Sequence, residues 1–147
     1  MTTTAPTVNG RVVALAHYSA RALLEGVLER HGATFQQSVA LRVVAVAGGS
    51  VDREELVADV DSSLKTGDSA VRGVIEELVA AKLLEPDPAA TRLRLTDAGR
   101  ELWDRTSAES AEIGALLYAG IPAEDLAAAG RVLALVTERA NAELGTG

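Results

Sequence analysis

The chain has no cysteine and only two histidines, His17 and His31. The first absence removes disulfides, thiolate metal ligands, a thiol nucleophile and thiol redox sensing together. The second leaves any metal site to carboxylates, so neither a metal nor a cofactor is expected. No phosphate loop, dinucleotide fingerprint or histidine pattern for metal or triad chemistry is present, and no enzyme is expected. No apolar run approaches the length of a membrane span, so no membrane partner is expected either. The opening MTTTAPTVNG lacks the charged start and apolar core of a signal peptide, which makes a cytoplasmic location the expectation. Positive charge is also scarce. Lysine and arginine number 14 against 21 acidic residues, a net charge of −7, which argues against a simple basic nucleic-acid binder.

What is present is a globular composition, 48% hydrophobic and 24% charged over 147 residues. That is enough chain for one domain, or for two small lobes, with a core of its own. Residues 1–8 have the character of a loose tail. From residue 9 to about 31, Val12, Val13, Ala16, Ala20, Leu23, Leu24, Val27 and Leu28 recur at helical spacing, and Gly32 closes the helix. Thr34 and Gln37 form a capping box for a second helix that ends at Gly48-Gly49, and Asp52 with Glu55 opens a third, short one, to about Asp61. Residues 62–67 turn the chain. A fourth helix over 68–83 carries Val71, Val74, Ile75, Leu78 and Val79 inward.

The pattern then changes. In TRLRLT, residues 91–96, leucine and arginine alternate with the period of a strand, and Pro86 and Pro88 around Asp87 suit a hairpin turn after a short strand over 84–87. Thr96 caps a long helix to about Tyr118. Gly120 and Pro122 separate it from a last one with Leu126, Ala129, Val132, Leu133, Val136 and Ala140 on its apolar side. The order is one long helix, three short helices, a hairpin and two long helices. It predicts a mainly α protein, a winged helix-turn-helix with long N- and C-terminal dimerisation helices and one small β-hairpin wing. The third short helix is then the one that enters the DNA major groove. Residues 34–96 form the expected DNA-binding lobe. Residues 1–33 and 97–147 form the dimerisation region, whose apolar faces find cover on a second copy.

Three stretches, TFQQSVALRVVAVAGGS, DSAVRGVIEELVAAKLLEP and LRLTDAGREL, resemble the second helix, the recognition helix running into the wing, and the wing exit of the MarR family of bacterial transcriptional regulators. The resemblance implies a homodimer on palindromic double-stranded DNA, acting as a repressor. It also implies a pocket between the DNA-binding and dimerisation regions where a small aromatic or anionic effector releases the DNA.

The expected DNA contacts are Lys65, Thr66, Ser69, Arg72 and Gly73 at the start of the recognition helix, and Arg92 and Arg94 on the wing. Ser69, Arg72, Gly73, Glu76 and Ala80 share the side opposite the buried stripe, where Glu76 is placed either to pair with Arg72 at i, i+4 or to accept from a cytosine amine. A bidentate guanine contact is the geometry that suits Arg72 best. Arg42 and Arg53 read as solvated. His17 and Arg21, one turn apart, are the candidate ligand-binding pair, the alternative being that they line the helix exterior or the dimer seam. Trp103 and Tyr18 read as core or dimer residues, and His31 as a helix C-terminal residue facing the dipole. Against this, residues 50–95 hold six basic and ten acidic side chains. That imbalance, with Gly73 and a short wing, motivates an alternative: a winged-helix protein-interaction module with weak or lost DNA binding.

Overall fold

The computed structural model describes residues 5–146; residues 1–4 of the expected tail, and Gly147, lie outside it. Six helices and three strands follow one another among the described residues: α1 (Gly10–Arg30), α2 (Phe35–Val46), β1 (Ser50–Asp52), α3 (Arg53–Leu64), α4 (Asp68–Ala80), β2 (Leu84–Pro86), β3 (Arg92–Leu95), α5 (Asp97–Tyr118) and α6 (Ala123–Thr146). The chain forms two compact units, one up to Ile113 and the other from Gly114 onward.

Local chemistry explains most of these boundaries. Asn9 caps α1 by accepting from the Val12 amide at 2.9 Å. The Thr34–Gln37 capping box is complete in both directions, at 3.1 and 3.0 Å. Asp52 accepts from the amides of Glu54 and Glu55 at the start of α3, and Thr96 accepts from Gly99 at the start of α5. α1, α2 and α4 end in the same way. The amide two residues past the cap donates back to the carbonyl five residues earlier, and the residue before it is left-handed. That residue is Gly32 after α1 and Gly48 after α2, as glycine's missing Cβ favours. After α4 it is Lys82, with φ 62°.

The first unit is built on an aliphatic core. Ala40, Leu41 and Val44 of α2 pack with Leu56, Val57 and Val60 of α3, with Val71, Ile75 and Leu78 of α4, and with Val51, Leu84 and Leu93 of the sheet. The inward face of α4 is the one its periodicity predicts.

Three elements differ from the sequence expectation. The wing is three-stranded, in the order β1-β3-β2 and antiparallel throughout, with Val51 opposite Leu93 and Leu84 opposite Leu95. β1 exists because β3 offers its free edge to the residues after Gly49. The connection after α3, expected over residues 62–67, is partly helix, since α3 continues to Leu64 before Lys65 turns left-handed at φ 56°. α4 stops at Ala80 rather than near Leu83, because the left-handed Lys82 redirects Leu83 into the cap.

Gly99 is buried where α5 meets the exit of α4. A Cβ there would lie 2.1 Å from the Leu83 carbonyl oxygen. The Thr96 amide donates to that same carbonyl, and its hydroxyl donates to Lys82 O at 2.6 Å. The LTDAG segment thus anchors the wing to α5 through a backbone approach that only glycine permits.

In the second unit, every described side chain of α6 is exposed, including Leu126, Val132, Leu133, Leu135 and Val136.

Candidate functional site

The turn into α4 is set by Gly67, with φ 98°, whose amide donates to Asp61 Oδ1 at 2.8 Å. Lys65, Thr66, Ser69 and Gly73 are exposed around the first two turns of α4, and the space over Gly73 is open. The Lys65 ammonium donates to the Ser62 carbonyl.

Arg72 is engaged on both sides. Its Nη1 and Nη2 donate to Glu54 of α3 at 3.2 and 2.6 Å, and its Nε and Nη2 donate to Asp68 at 2.6 and 3.3 Å. Glu76, a partner that spacing allows, is not the one used. Side chains on a helix lean toward its N-terminus, so Arg72 reaches back one turn to Asp68 rather than forward to Glu76. An acidic residue N-terminal to the basic one is also the favoured order of an i,i+4 pair. The hydrogen bond from Arg72 holds the Glu54 carboxyl below its ordinary range, and Glu54 and then Asp68 push the guanidinium up, so both groups stay charged.

On the wing the two arginines are not equivalent. Arg94 is ion-paired across the sheet to Glu85 at 2.6 Å. The Arg92 guanidinium donates to the Ser50 hydroxyl, at 3.2 Å, and forms no ion pair among the described residues. The hairpin turn between β2 and β3 is organised by Asp87. Its Oδ1 accepts from the amides of Thr91 and Arg92, and its Oδ2 from the Thr91 hydroxyl. These donors, the Arg92 amide foremost, hold the Asp87 carboxyl below the usual aspartate value. Arg53, expected to be solvated, binds the same turn instead. Its amide donates to Thr91 O at 2.9 Å and its Nε to Ala90 O at 3.3 Å. Of the six cations in residues 50–95, Arg72 and Arg94 are therefore the two held in ion pairs.

His17 and Arg21 are not brought together over a common cavity. His17 is exposed beside the Tyr18 ring, with centroids 6.1 Å apart. Arg21 pairs with Glu25 at 2.6 Å and stacks over the Phe35 ring at 4.2 Å. An apolar-walled cavity of the first unit lies further along, between α1, α2 and the first part of α5, with a volume of about 530 Å³. Leu24, Leu28, Phe35, Val39, Val46 and Trp103 give it apolar walls. Ser38, Thr106, Ser107 and Ser110 add hydroxyls whose protons are donated to carbonyls of their own helices, which leaves acceptor oxygens. Arg42, which has no partner among the described residues, adds donors and a positive charge. Close by, Glu109 joins α5 to the end of α1 through His31 Nε2 at 3.3 Å and Arg30 at 3.1 Å. These groups, His31 first, hold its carboxyl low. Spacing alone does not single out the cavity residues, because α2 and α5 supply them from opposite sides of the winged lobe. The one usable signal was Trp103, the only tryptophan, in an otherwise polar helical stretch.

No protein-family model and no curated protein matches the sequence. Solved structures do match. NadR in complex with 4-hydroxyphenylacetate is 19% identical with a TM-score of 0.72, over 88% of this chain and 95% of its own. The reduced form of MarR from Escherichia coli is 18% identical with a TM-score of 0.67, over 90% and 95%. BpsR of Bordetella bronchiseptica, whose DNA binding is regulated by 6-hydroxynicotinic acid, is 23% identical with a TM-score of 0.69, over 90% and 99%. This chain has the MarR fold. In this fold α4 is the third of the short helices and β2–β3 the hairpin that follows it.

Proposed function

We propose that the protein is a MarR-family transcriptional regulator, a homodimer that represses by binding palindromic double-stranded DNA through α4 and the wing. The observation that carries this reading is the pairing of an exposed α4 face with a wing whose tip presents a cation held in no ion pair among the described residues, Arg92. Phosphate contacts position such a lobe and base contacts specify the sequence it prefers. Lys65, Thr66, Ser69, Arg72 and Gly73 are proposed to meet the major groove, and Arg92 and Arg94 the flanking backbone or minor groove. Dimerisation is supported by the apolar face of α6, where Leu126, Leu133 and Val136 stand in solvent in the single chain. A helix with such a stripe is stable when the stripe is covered.

The cavity supports an effector. Its apolar walls, acceptor hydroxyls and lone guanidinium suit a small planar aromatic acid, with the carboxylate on Arg42 and a ring hydroxyl toward the serines. Two of the matched structures involve ligands of that chemistry, 4-hydroxyphenylacetate and 6-hydroxynicotinic acid. With no cysteine in the chain, release by thiol oxidation is closed to it.

The test is fluorescence anisotropy on a duplex from the region upstream of the protein's own coding sequence, repeated over a salt series. A regulator shows affinity that falls steeply with salt. Absence of binding at low salt favours the interaction module, the reading suggested by ten acidic against six basic side chains in residues 50–95. Titration with 4-hydroxyphenylacetate, followed through Trp103 fluorescence, tests the cavity. Arg42→Ala is expected to remove the response and leave DNA affinity in place.

A further inference from the structure

The recognition helix carries one basic side chain on its exposed face, and that side chain is already occupied. A guanidinium has five N–H donors. In Arg72 the Nε proton goes to Asp68, one Nη1 proton to Glu54, and the two Nη2 protons to Glu54 and Asp68. One donor, on Nη1, remains. A bidentate contact to the O6 and N7 of guanine needs two, so Arg72 must release a carboxylate before it can read a base. Two carboxylates around one guanidinium also leave the cluster net negative. It stands on the surface that the DNA polyanion would approach, with the Glu54 and Asp68 side chains 68% and 63% exposed.

We propose that Glu54 and Asp68 form an electrostatic gate on Arg72, which holds down affinity for DNA and makes Glu54 of α3 a residue that sets how tightly α4 binds. This rests on the DNA-binding reading above. The logic is one of exchange. A carboxylate and the guanine O6/N7 edge each offer two adjacent acceptors in a plane, so a correctly placed guanine replaces what Arg72 gives up. Non-cognate DNA offers no such edge at that position. It meets the repulsion of two carboxylates without the compensating contact. The gate therefore lowers affinity everywhere, and at the right base Arg72 must also release a carboxylate. Because Glu54 is held below its ordinary range and Arg72 above its own, acidification within the neutral region does not open the gate. The competing acceptor on the DNA does.

The experiment compares wild type, Glu54→Gln and the double variant Glu54→Gln/Asp68→Asn on cognate and scrambled duplexes across a salt series. Both substitutions are isosteric and lie in exposed first turns; circular dichroism confirms the fold. Glu54→Gln is expected to tighten scrambled DNA about three- to tenfold and the cognate duplex by at least as much, with a salt slope steeper by about one unit for each carboxylate removed. The double variant is expected to go further in the same direction. Wild-type binding to the cognate duplex with unchanged or weaker scrambled binding in Glu54→Gln overturns the gate while leaving the DNA reading intact. Failure of all three proteins to bind either duplex at low salt overturns the DNA reading, and the gate with it.

Discussion

At the residue scale, two positions near the end of α4 show how backbone conformation and space constrain this chain in opposite directions. Gly99 admits no side chain, since a Cβ would stand 2.1 Å from Leu83 O and 3.2 Å from Leu95 Cδ2. The backbone carbonyl cannot give way and the half-buried Leu95 can do so only in part, so Gly99→Ala is expected to cost about 1–3 kcal/mol, as overpacking does. Urea titration of the variant checks this, and an unchanged midpoint would contradict it. Lys82 is the converse case. It holds the left-handed position that glycine fills after α1 and α2. Lys82→Gly is expected to raise stability by up to about 1 kcal/mol, the relief of the left-handed conformation outweighing glycine's extra entropy in the unfolded chain. A fall in the same titration would argue that the Lys82 side chain makes a stabilising contact. The glycines at 32 and 48 announced their helix ends in the sequence. The lysine at 82 did not, and that is why α4 was expected to run on.

At the element scale, the wing depends on Asp87. Its carboxyl titrates low in the folded chain because the Arg92 and Thr91 amides and the Thr91 hydroxyl bind its charged form. A depressed folded value means that the stabilisation is in full force above the unfolded aspartate value, about 3.9, and disappears as pH falls through the folded one. Amide exchange at Thr91 and Arg92 is therefore expected to accelerate below about pH 4, while amides of the α2–α4 core stay protected. Uniform acceleration across both would deny the turn this role. Arg92→Ala removes the guanidinium but keeps the backbone amide that Asp87 binds. It is expected to weaken DNA binding with helical circular dichroism unchanged, through loss of backbone or minor-groove anchoring. Unaltered affinity would take the wing out of the mechanism. The alternation of Arg92, Leu93, Arg94 and Leu95 made β3 legible. β1 was not, because three residues after a glycine pair carry no strand period, and only the edge of β3 makes them one.

At the scale of the whole molecule, the expected association is set by what α6 leaves uncovered. Leu126, Leu133 and Val136 lie 36%, 42% and 48% exposed in the single chain. Burial of such a side chain from full exposure is worth about 1.5–3 kcal/mol, so covering the part still exposed adds roughly half of that or less for each, and a two-fold interface counts each one twice. Sedimentation at micromolar concentration is expected to give a dimer, and Leu133→Glu with Val136→Glu a folded or partly folded monomer with much weaker operator binding. A wild-type monomer under those conditions would remove the homodimer from the proposal. It would leave the exposed α6 face without an explanation.

The sequence by itself determined the order of the six helices, the caps at Thr34, Asp52 and Thr96, the inward face of α4, and the presence of a hairpin. Each of these follows from chemistry acting within a turn or two of chain: a side chain on a nearby amide, a glycine free to turn left-handed, a period of apolar residues. Tertiary structure decided the rest. It gave Arg72 to Glu54, eighteen residues away, rather than to Glu76. It drew Arg53 into the wing turn, paired Arg94 with Glu85, and put the cavity beside Phe35, Arg42 and Trp103 instead of His17 and Arg21. The physical reason is common to all of these. An arginine or a cavity wall is defined by its neighbours in space, and those are fixed only when α2, α3 and α5 have packed.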